Sequence, residues 1–423
     1  MLFEKKKIFS LTRFFHEKPE LPCWLAGRFF EKDSNHYFLK SQGKFIVCKK
    51  DSFSKKVKQG DWLAVYLLSQ NMKSLGNNKD EKIFKKESSF LESVYLTKAC
   101  YILNRPEDFY IEKNFSYKKK GQVLQKWHFF LRAVEGFFIS KGLSFASTPH
   151  LVECPGTEPH LKPLKSSYRN YYLATSPEIH LKKLLCQDWT DFFEIKTCFR
   201  EEENNSTHQI EFSLLEWYRA FYSLKDLMTE LYELILFLKK KGFCKRDIPS
   251  PQFFSVSELF QKYLNFPLTP KNSKKELLNL ATKQGLFVSS SLNFEDLFFL
   301  IFLNKIEPQL CQKNPFFIYN YPPQLRAFSQ INKEGWAQRF EFYWQGLELA
   351  NAFYEVTDFK EQRNLFQEHL EQRQDDILLD ENLLDLMKKT AMPPSCGIAV
   401  GLDRLFLAFT EEKDLRKMRL FPS

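Results

Sequence analysis

Cys198-Phe199-Arg200-Glu201-Glu202-Glu203, a short polar stretch, and then His208-Gln209-Ile210-Glu211-Phe212-Ser213-Leu214-Leu215-Glu216-Trp217-Tyr218 place an arginine and a run of carboxylates on either side of a loop. The segment before the loop alternates as a strand does: Glu194, Lys196, Cys198 and Arg200 fall on one face, Phe193, Ile195, Thr197 and Phe199 on the other. Beyond the loop, Ile210, Phe212, Leu214, Glu216 and Tyr218 share a face of a second strand. Such a hairpin brings a fixed cation, a flat ring and acceptor oxygens to one surface, which suits a ligand carrying phosphate, a purine and an ammonium group. A solvated hairpin with a charged tip would show the same charge run.

A second stretch narrows the choice. Pro393-Pro394-Ser395-Cys396-Gly397-Ile398-Ala399-Val400-Gly401-Leu402-Asp403-Arg404-Leu405-Phe406-Leu407 reads as a buried strand that passes through glycine into an apolar helix. Arg404 then falls in the first helical turn, where free backbone amides already favour an anion. An arginine-ended hairpin followed, some two hundred residues later, by Gly-x-x-x-Gly-x-Asp-Arg resembles motifs 2 and 3 of the class II aminoacyl-tRNA synthetases. Ser147-Thr148-Pro149-His150-Leu151 stands where the weaker motif 1 belongs.

Within that superfamily the strings resemble the lysyl branch, and inside it the elongation factor P lysine ligases, paralogues of lysyl-tRNA synthetase. Thr175-Ser176-Pro177-Glu178 followed by His180-Leu181-Lys182-Lys183-Leu184-Leu185 is similar to the ligases' Thr-Ser-Pro-Glu segment. Leu215-Glu216-Trp217-Tyr218-Arg219 carries the ligase-type tryptophan, and Phe340-Glu341-Phe342-Tyr343-Trp344-Gln345-Gly346-Leu347-Glu348-Leu349-Ala350-Asn351 continues in register to Thr357-Asp358. The likeness covers residues 125 to 415.

The resemblance implies an α+β catalytic core with an antiparallel sheet, and an ATP- and Mg-dependent reaction. Lysine or (R)-β-lysine is activated as its adenylate and passed to a lysine of elongation factor P. It implies that Arg200 and Arg404 are the catalytic cations on the α- and γ-phosphates. Glu201, Glu202, Gln209, Phe212, Glu348, Leu349 and Gly401 would complete the ATP site, with Phe212 stacked on adenine and Glu202 reading its amino group. Ser176, Glu178, Glu216, Tyr218, Asn351 and Glu355 would form the amino-acid pocket. Glu348 and Glu355 match the branch's Mg-associated pair; seven residues apart, they oppose each other on an unbroken strand, so serving one site requires a bend or bulge between them. Glu355 could instead recognise the substrate amine. Three glutamates suit a diamine, since two buried ammonium groups need several acceptors. The sequence departs from the family where Glu201 replaces an amide, Gln209 an asparagine, Ile210 a proline and Ala352 a glycine.

A chain of 423 residues with 45 Phe can bury a sizeable core in two or three domains. No apolar run approaches the roughly eighteen residues of a spanning helix, and the N-terminus lacks the apolar stretch of a secretory signal, so a cytoplasmic protein with no membrane partner is expected. Nine scattered cysteines without a Cys-x-x-Cys pair argue against zinc and a disulfide framework. Cys198 and Cys396 lie near the expected site without a partner for nucleophilic chemistry.

Residues 1 to 120 hold 25 Lys and Arg against 14 Asp and Glu, while the remaining 303 hold 37 against 38. The net charge of +10 therefore resides in the N-terminal part, which implies an acidic macromolecular partner or merely a lysine-rich composition. Five β-like runs, 23–30, 36–40, 44–48, 61–69 and 93–103, suit a small barrel of oligonucleotide-binding type over residues 1–108, joined by a linker, 109–124, to the catalytic domain, 125–423. The ligases commonly lack such a barrel, which keeps two alternatives open: a small lysyl-tRNA synthetase charging tRNA, or a silent paralogue that binds RNA or protein. A helix over 122–141 carries an apolar stripe at Val123, Trp127, Phe130, Leu131, Val134 and Phe138, which is either core or the homodimer interface that the resemblance implies.

Overall fold

In the computed structural model the chain forms two compact units, Met1–Val123 and Leu124–Ser423. The structure describes six strands between residues 8 and 104 by their backbone course, and residues 117–418 apart from 202–204, 290, 311–313, 374 and 411; side chains are described from residue 123 on.

The first unit contains β1 (Ile8–Ser10), β2 (Cys23–Glu31), β3 (His36–Ser41), β4 (Lys44–Lys49), β5 (Trp62–Asn71) and β6 (Val94–Asn104). Their order is β1-β2-β3-β4-β6-β5, and β5 pairs back onto β2, so β2 to β6 close into a ring. The five runs of alternating sequence coincide with β2 to β6 within a residue or two at most ends. Closure satisfies both edges of every strand in the ring, which lets a short, lysine-rich segment hold a sheet.

A long helix, α1 (Tyr117–Ser140), begins at the end of the first unit and continues into the second. This helix starts five residues earlier than expected and runs through the three lysines read as linker; residues 109–116 lie outside the described part. Phe130, Val134 and Phe138 are fully buried, with Phe138 against Phe193 and Trp217, so the apolar stripe is core. Phe129 and Ile139, off the stripe, are exposed.

The strands that follow are β7 (Ser144–Phe145), β8 (Leu151–Val152), β9 (Tyr172–Leu173), β10 (Asp191–Phe199), β11 (Glu211–Ala220), β12 (Gln252–Ser255), β13 (Phe316–Tyr321), β14 (Ala337–Trp344), β15 (Leu347–Tyr354) and β16 (Ser395–Gly401). Eight of them form one sheet in the order β12-β13-β14-β15-β16-β11-β10-β7, with β8 and β9 paired separately. The sheet is antiparallel from β13 through β10 and parallel only at its outer pairs. The C-terminal strand β16 is inserted between β11 and β15, so the two sequence-distant motifs lie side by side.

Between the central strands run α2 (Glu178–Leu185) and α3 (Leu224–Lys240), the latter opened by a reciprocal Ser223–Asp226 capping box. Residues 256–310, opaque in sequence, form α4 (Val256–Leu264), α5 (Lys274–Lys283) and α6 (Phe294–Ile301), which continues through a π turn, Phe302–Ile306, into Glu307–Leu310. They bury their own cluster, including Leu259, Phe260, Phe298 and Ile301, against β13 and β14 residues such as Ile318 and Tyr343. The chain ends with α7 (Phe359–Glu371), α8 (Glu381–Thr390) and α9 (Leu402–Phe409), which follows β16 directly. Among the described residues no helix is long and apolar enough to cross a membrane.

Candidate active site

A cavity of about 340 Å³ opens on a face to which β11, β14, β15 and β16 contribute residues. The hairpin β10–β11 supplies one wall: Arg200 and Phe212 line it, with the guanidinium 5.1 Å from the ring centroid. The Arg200 Nε donates to the Thr175 carbonyl at 3.3 Å, and its backbone N–H to Ile210 O at 3.0 Å, so the cation is held at the root of the loop. Cys198 beside it is fully buried, and burial raises its thiol, which removes it as a nucleophile at neutral pH.

The passage from β16 into α9 forms the opposite corner. Arg404 reaches back to Thr207 O at 3.2 Å and Glu348 O at 3.2 Å, and its Nη2 meets His208 Nε2. Asp403 accepts the Ser213 N–H at 2.6 Å and so ties the helix start to β11. On β15 the register against β14 shifts, since Phe342 faces Ala350 while Tyr343 faces Glu348. Leu349 is the extra residue of a β-bulge, which turns Glu348 to the same face as Asn351 and Phe353. Glu348, Leu349, Ala350, Asn351 and Phe353 all line the cavity. Glu348 is an exposed residue of β15, and the protein crowded around its carboxyl together with the neighbouring Glu341 pushes that group up from its ordinary value. Glu341 itself pairs with Arg339 at 2.7 Å and accepts hydrogen bonds from the hydroxyls of Tyr321 and Tyr343 at 2.6 and 2.9 Å.

The third side is acidic. Glu158, Ser176, Glu178 and Glu216 line it, and Glu355 lies behind them at 1% exposure. The N–H of Glu178 donates to Ser176 Oγ at 3.3 Å. Lys182, one turn on along α2, is itself buried, with Nζ 2.7 Å from Glu178 Oε1, 2.8 Å from Glu355 Oε2 and 4.7 Å above the Phe328 ring. Burial alone would lower this ammonium, but the charges of Glu178 and Glu355 outweigh it and hold Lys182 above its ordinary value. Glu355 is pushed up to about 7, and Glu216 well above the usual carboxylate range, in both cases first by burial. Tyr218 stacks on Phe192 at 5.6 Å and donates its hydroxyl to Glu216 at 3.4 Å. Gly397 pairs with Tyr218 across the sheet, and a Cβ there would collide with the Tyr218 ring and Glu355 Oε1, so only glycine lets these two side chains stand together.

Of the residues named from the sequence, Arg200, Gln209, Phe212, Glu348, Leu349, Gly401, Arg404, Ser176, Glu178, Glu216 and Asn351 line this cavity. Gln209 is mainly a brace, since its Nε2 donates to Asn205 O and His208 O at 3.0 and 2.8 Å. Glu201 points to solvent and contributes its backbone N–H to Lys162 O at 2.8 Å, away from the cavity lining. Glu202 lies outside the described residues. Glu348 and Glu355 are not brought together as a pair: the charges around the first are Glu341 and Arg404, those around the second Lys182 and Glu178. Among the described residues no group of three metal-ligating side chains is clustered. Sequence reading missed Glu158, Thr207, His208 and Arg339, which line the cavity from loops or from behind the expected motif; for Glu158 the only signal was a glutamate two residues after Gly156. The Trp217 ring faces the other side of the sheet, donating to Glu230 at 2.9 Å, so its part is structural.

Comparison with known proteins agrees with this geometry. The family model "tRNA synthetases class II (D, K and N)" matches residues 110–423. The elongation factor P–(R)-β-lysine ligase of Haemophilus influenzae is 33% identical over 304 residues, 68% of this chain and 89% of that protein. Its counterparts in Hamiltonella defensa and Mannheimia succiniciproducens are 32% and 33% identical, each over 69% of this chain and 92% of theirs. With motif 2 on β10–β11, motif 3 on β16–α9 and this degree of identity, the chain belongs to the elongation factor P–(R)-β-lysine ligases within the class II tRNA synthetase family.

Proposed function

We propose that this protein is an ATP-dependent ligase that activates lysine or (R)-β-lysine and transfers the aminoacyl group to a lysine side chain of elongation factor P. The observation that carries the reading is the acidic wall, Glu158, Glu178, Glu216 and Glu355, set beside Arg200 and Phe212 in one cavity. Four carboxyl groups against one buried lysine offer more acceptors than the single ammonium of a neutral amino acid can use, whereas a diamino acid brings two ammonium groups to them.

In the first half-reaction an oxygen of the substrate carboxylate attacks the α-phosphorus of ATP. The bond between the α-phosphorus and the bridging oxygen breaks, and pyrophosphate leaves. Arg200 stabilises the charge that builds on the α-phosphate oxygens, while Phe212 stacks on the adenine and Arg404 orients the γ-phosphate. Glu348 is suited to hold magnesium, because its carboxylate is accessible from the cavity and lies near Glu341, so that a cation there relieves the repulsion between them. Bound there, the ion would balance charge on the departing pyrophosphate. In the second half-reaction the uncharged amine of the acceptor lysine attacks the adenylate carbonyl carbon, AMP leaves, and the amine proton passes to solvent.

The closed ring β2 to β6 supports the reading of an oligonucleotide-binding type of barrel, with a basic composition suited to an acidic partner. Exposed Phe129, Ile139 and Phe145 are apolar side chains available for homodimerisation. Incubation of the purified protein with elongation factor P, ATP, magnesium and either diamine is expected to add one lysine-sized mass to elongation factor P. No mass increase with either diamine, or efficient charging of tRNA in its place, would refute the assignment.

A further inference from the structure

The acidic wall contains one carboxylate that no motif announces. Glu158 lies in the loop between β8 and β9, and three contacts fix that loop: Arg373 donates to Glu158 O, Leu161 N–H to Glu158 O at 3.2 Å, and Glu201 N–H to Lys162 O at 2.8 Å. Gly156, at φ +133°, turns the chain so tightly that a Cβ there would lie 2.9 Å from Glu158 Oε2. The backbone is therefore shaped to bring this carboxylate to the cavity. Yet Oε2 is shielded from solvent and accepts no hydrogen bond from the described residues, and the same is true of Asn351 Oδ1 and Glu355 Oε1. A buried acceptor without a donor costs about 1–3 kcal/mol, more when charged, so such a group persists where a ligand completes it.

The position tells which part of the ligand that is. Thr175 ties Glu158 to Arg200: its carbonyl accepts from Arg200 Nε at 3.3 Å, its hydroxyl donates to Pro155 O, and a Cβ on Gly156 would lie 3.4 Å from that hydroxyl and 2.9 Å from Glu158 Oε2, whereas Glu355 Oε2 sits 2.8 Å from Lys182 Nζ. Glu158 thus belongs to the end of the pocket next to Arg200, where the reacting carboxylate must meet the α-phosphate. Glu355, Tyr218 and Gly397 form the end away from it. A six-carbon diamine laid along this axis puts its terminal ammonium at the deep end. Its other ammonium, one or two carbons from the carboxylate, falls beside Glu158.

We propose that Glu158 binds the ammonium nearer the substrate carboxylate and is thereby the residue that reads whether that amine sits on the second carbon, as in lysine, or the third, as in β-lysine. This rests on the ligase reading given above. The test is calorimetric titration of the full-length protein and of Glu158→Gln with lysine, with (R)-β-lysine and with ATP. The expected result is a loss of tenfold or more in affinity for the preferred diamine, a ratio of the two diamine affinities that moves toward one, and ATP affinity within twofold of wild type. A melting temperature at pH 8 equal to or above that of wild type is also expected, because an unpaired buried charge has been removed. Unchanged diamine affinities, an equal loss for ATP, or a drop in melting temperature would each overturn the proposal. A wild-type protein that binds neither diamine would instead sink the ligase reading itself.

Discussion

Replacing Lys182 by methionine keeps most of the side-chain volume and removes the cation placed between Glu178 and Glu355. At separations of 2.7 and 2.8 Å and an effective dielectric of about 20, each attraction is on the order of 6 kcal/mol before desolvation. Burial of three charged groups offsets most of that, and loss of one partner from a buried network typically costs about 3–5 kcal/mol because the remaining charges stay uncompensated. In a unit as long as Leu124–Ser423 this corresponds to a fall in melting temperature of about 6–10 °C at pH 8. Lowering the pH should shrink the deficit, since Glu355, already held up to about 7 by burial, can take a proton in the variant. At pH 5.5 the expected loss is less than about half of that at pH 8. Scanning calorimetry of Lys182→Met and of Lys182→Met/Glu355→Gln at both pH values checks this, with the double variant recovering much of the stability. A single variant within about 1 kcal/mol of wild type at pH 8 would show that the lysine does not neutralise this wall.

Three further outcomes are expected. Glu158 and Glu355 are raised in the fold from 4.5 to about 7, so the ligand-free protein binds more protons folded than unfolded between those values. Their contribution to stability is therefore greatest below pH 4.5 and is lost as the pH rises to about 7. The melting-temperature difference between wild type and Glu158→Gln should consequently shift against wild type from pH 5 to 7.5, and a shift in its favour would contradict the assigned burial. Arg404→Ala removes the contacts to Thr207 and Glu348 as well as the phosphate cation, and should lower lysine-dependent ATP–pyrophosphate exchange by about a hundredfold or more; retention of more than a tenth of the rate would exclude the role. Gly397→Ala forces a methyl against Tyr218 and Glu355 and should cost about 1–3 kcal/mol in urea denaturation together with diamine affinity, so a neutral result would mean that the two side chains can part freely.

Several elements could be read directly from residue order. The alternation through Glu194 to Arg200, the Gly401-Leu402-Asp403-Arg404 passage and the five N-terminal runs all appear as strands or a strand-to-helix turn, because local periodicity and turn chemistry act within a few residues. The need for a break between Glu348 and Glu355 was also legible, from the two-residue period of a strand. The bulge at Leu349 meets it, yet turns Glu348 toward Arg404 and leaves Glu355 with Lys182. No spacing rule says that a lysine of α2 will occupy the acidic cluster, for its position depends on the packing of α2 against β11 and α8.

By itself the sequence determined the chemistry on offer: an arginine at each end of a long insertion, a phenylalanine on the strand that follows the first, and several glutamates in the segments between. Tertiary structure alone decided which carboxylates share a cavity, which of them already own a counter-ion, and which remain unmatched. Pairing of β16 between β11 and β15 joins residues nearly two hundred positions apart. The β8–β9 loop adds Glu158 from outside every motif. The physical reason is that charge and hydrogen-bond satisfaction are properties of neighbours in space, and a buried carboxylate differs from a solvated one only in what surrounds it.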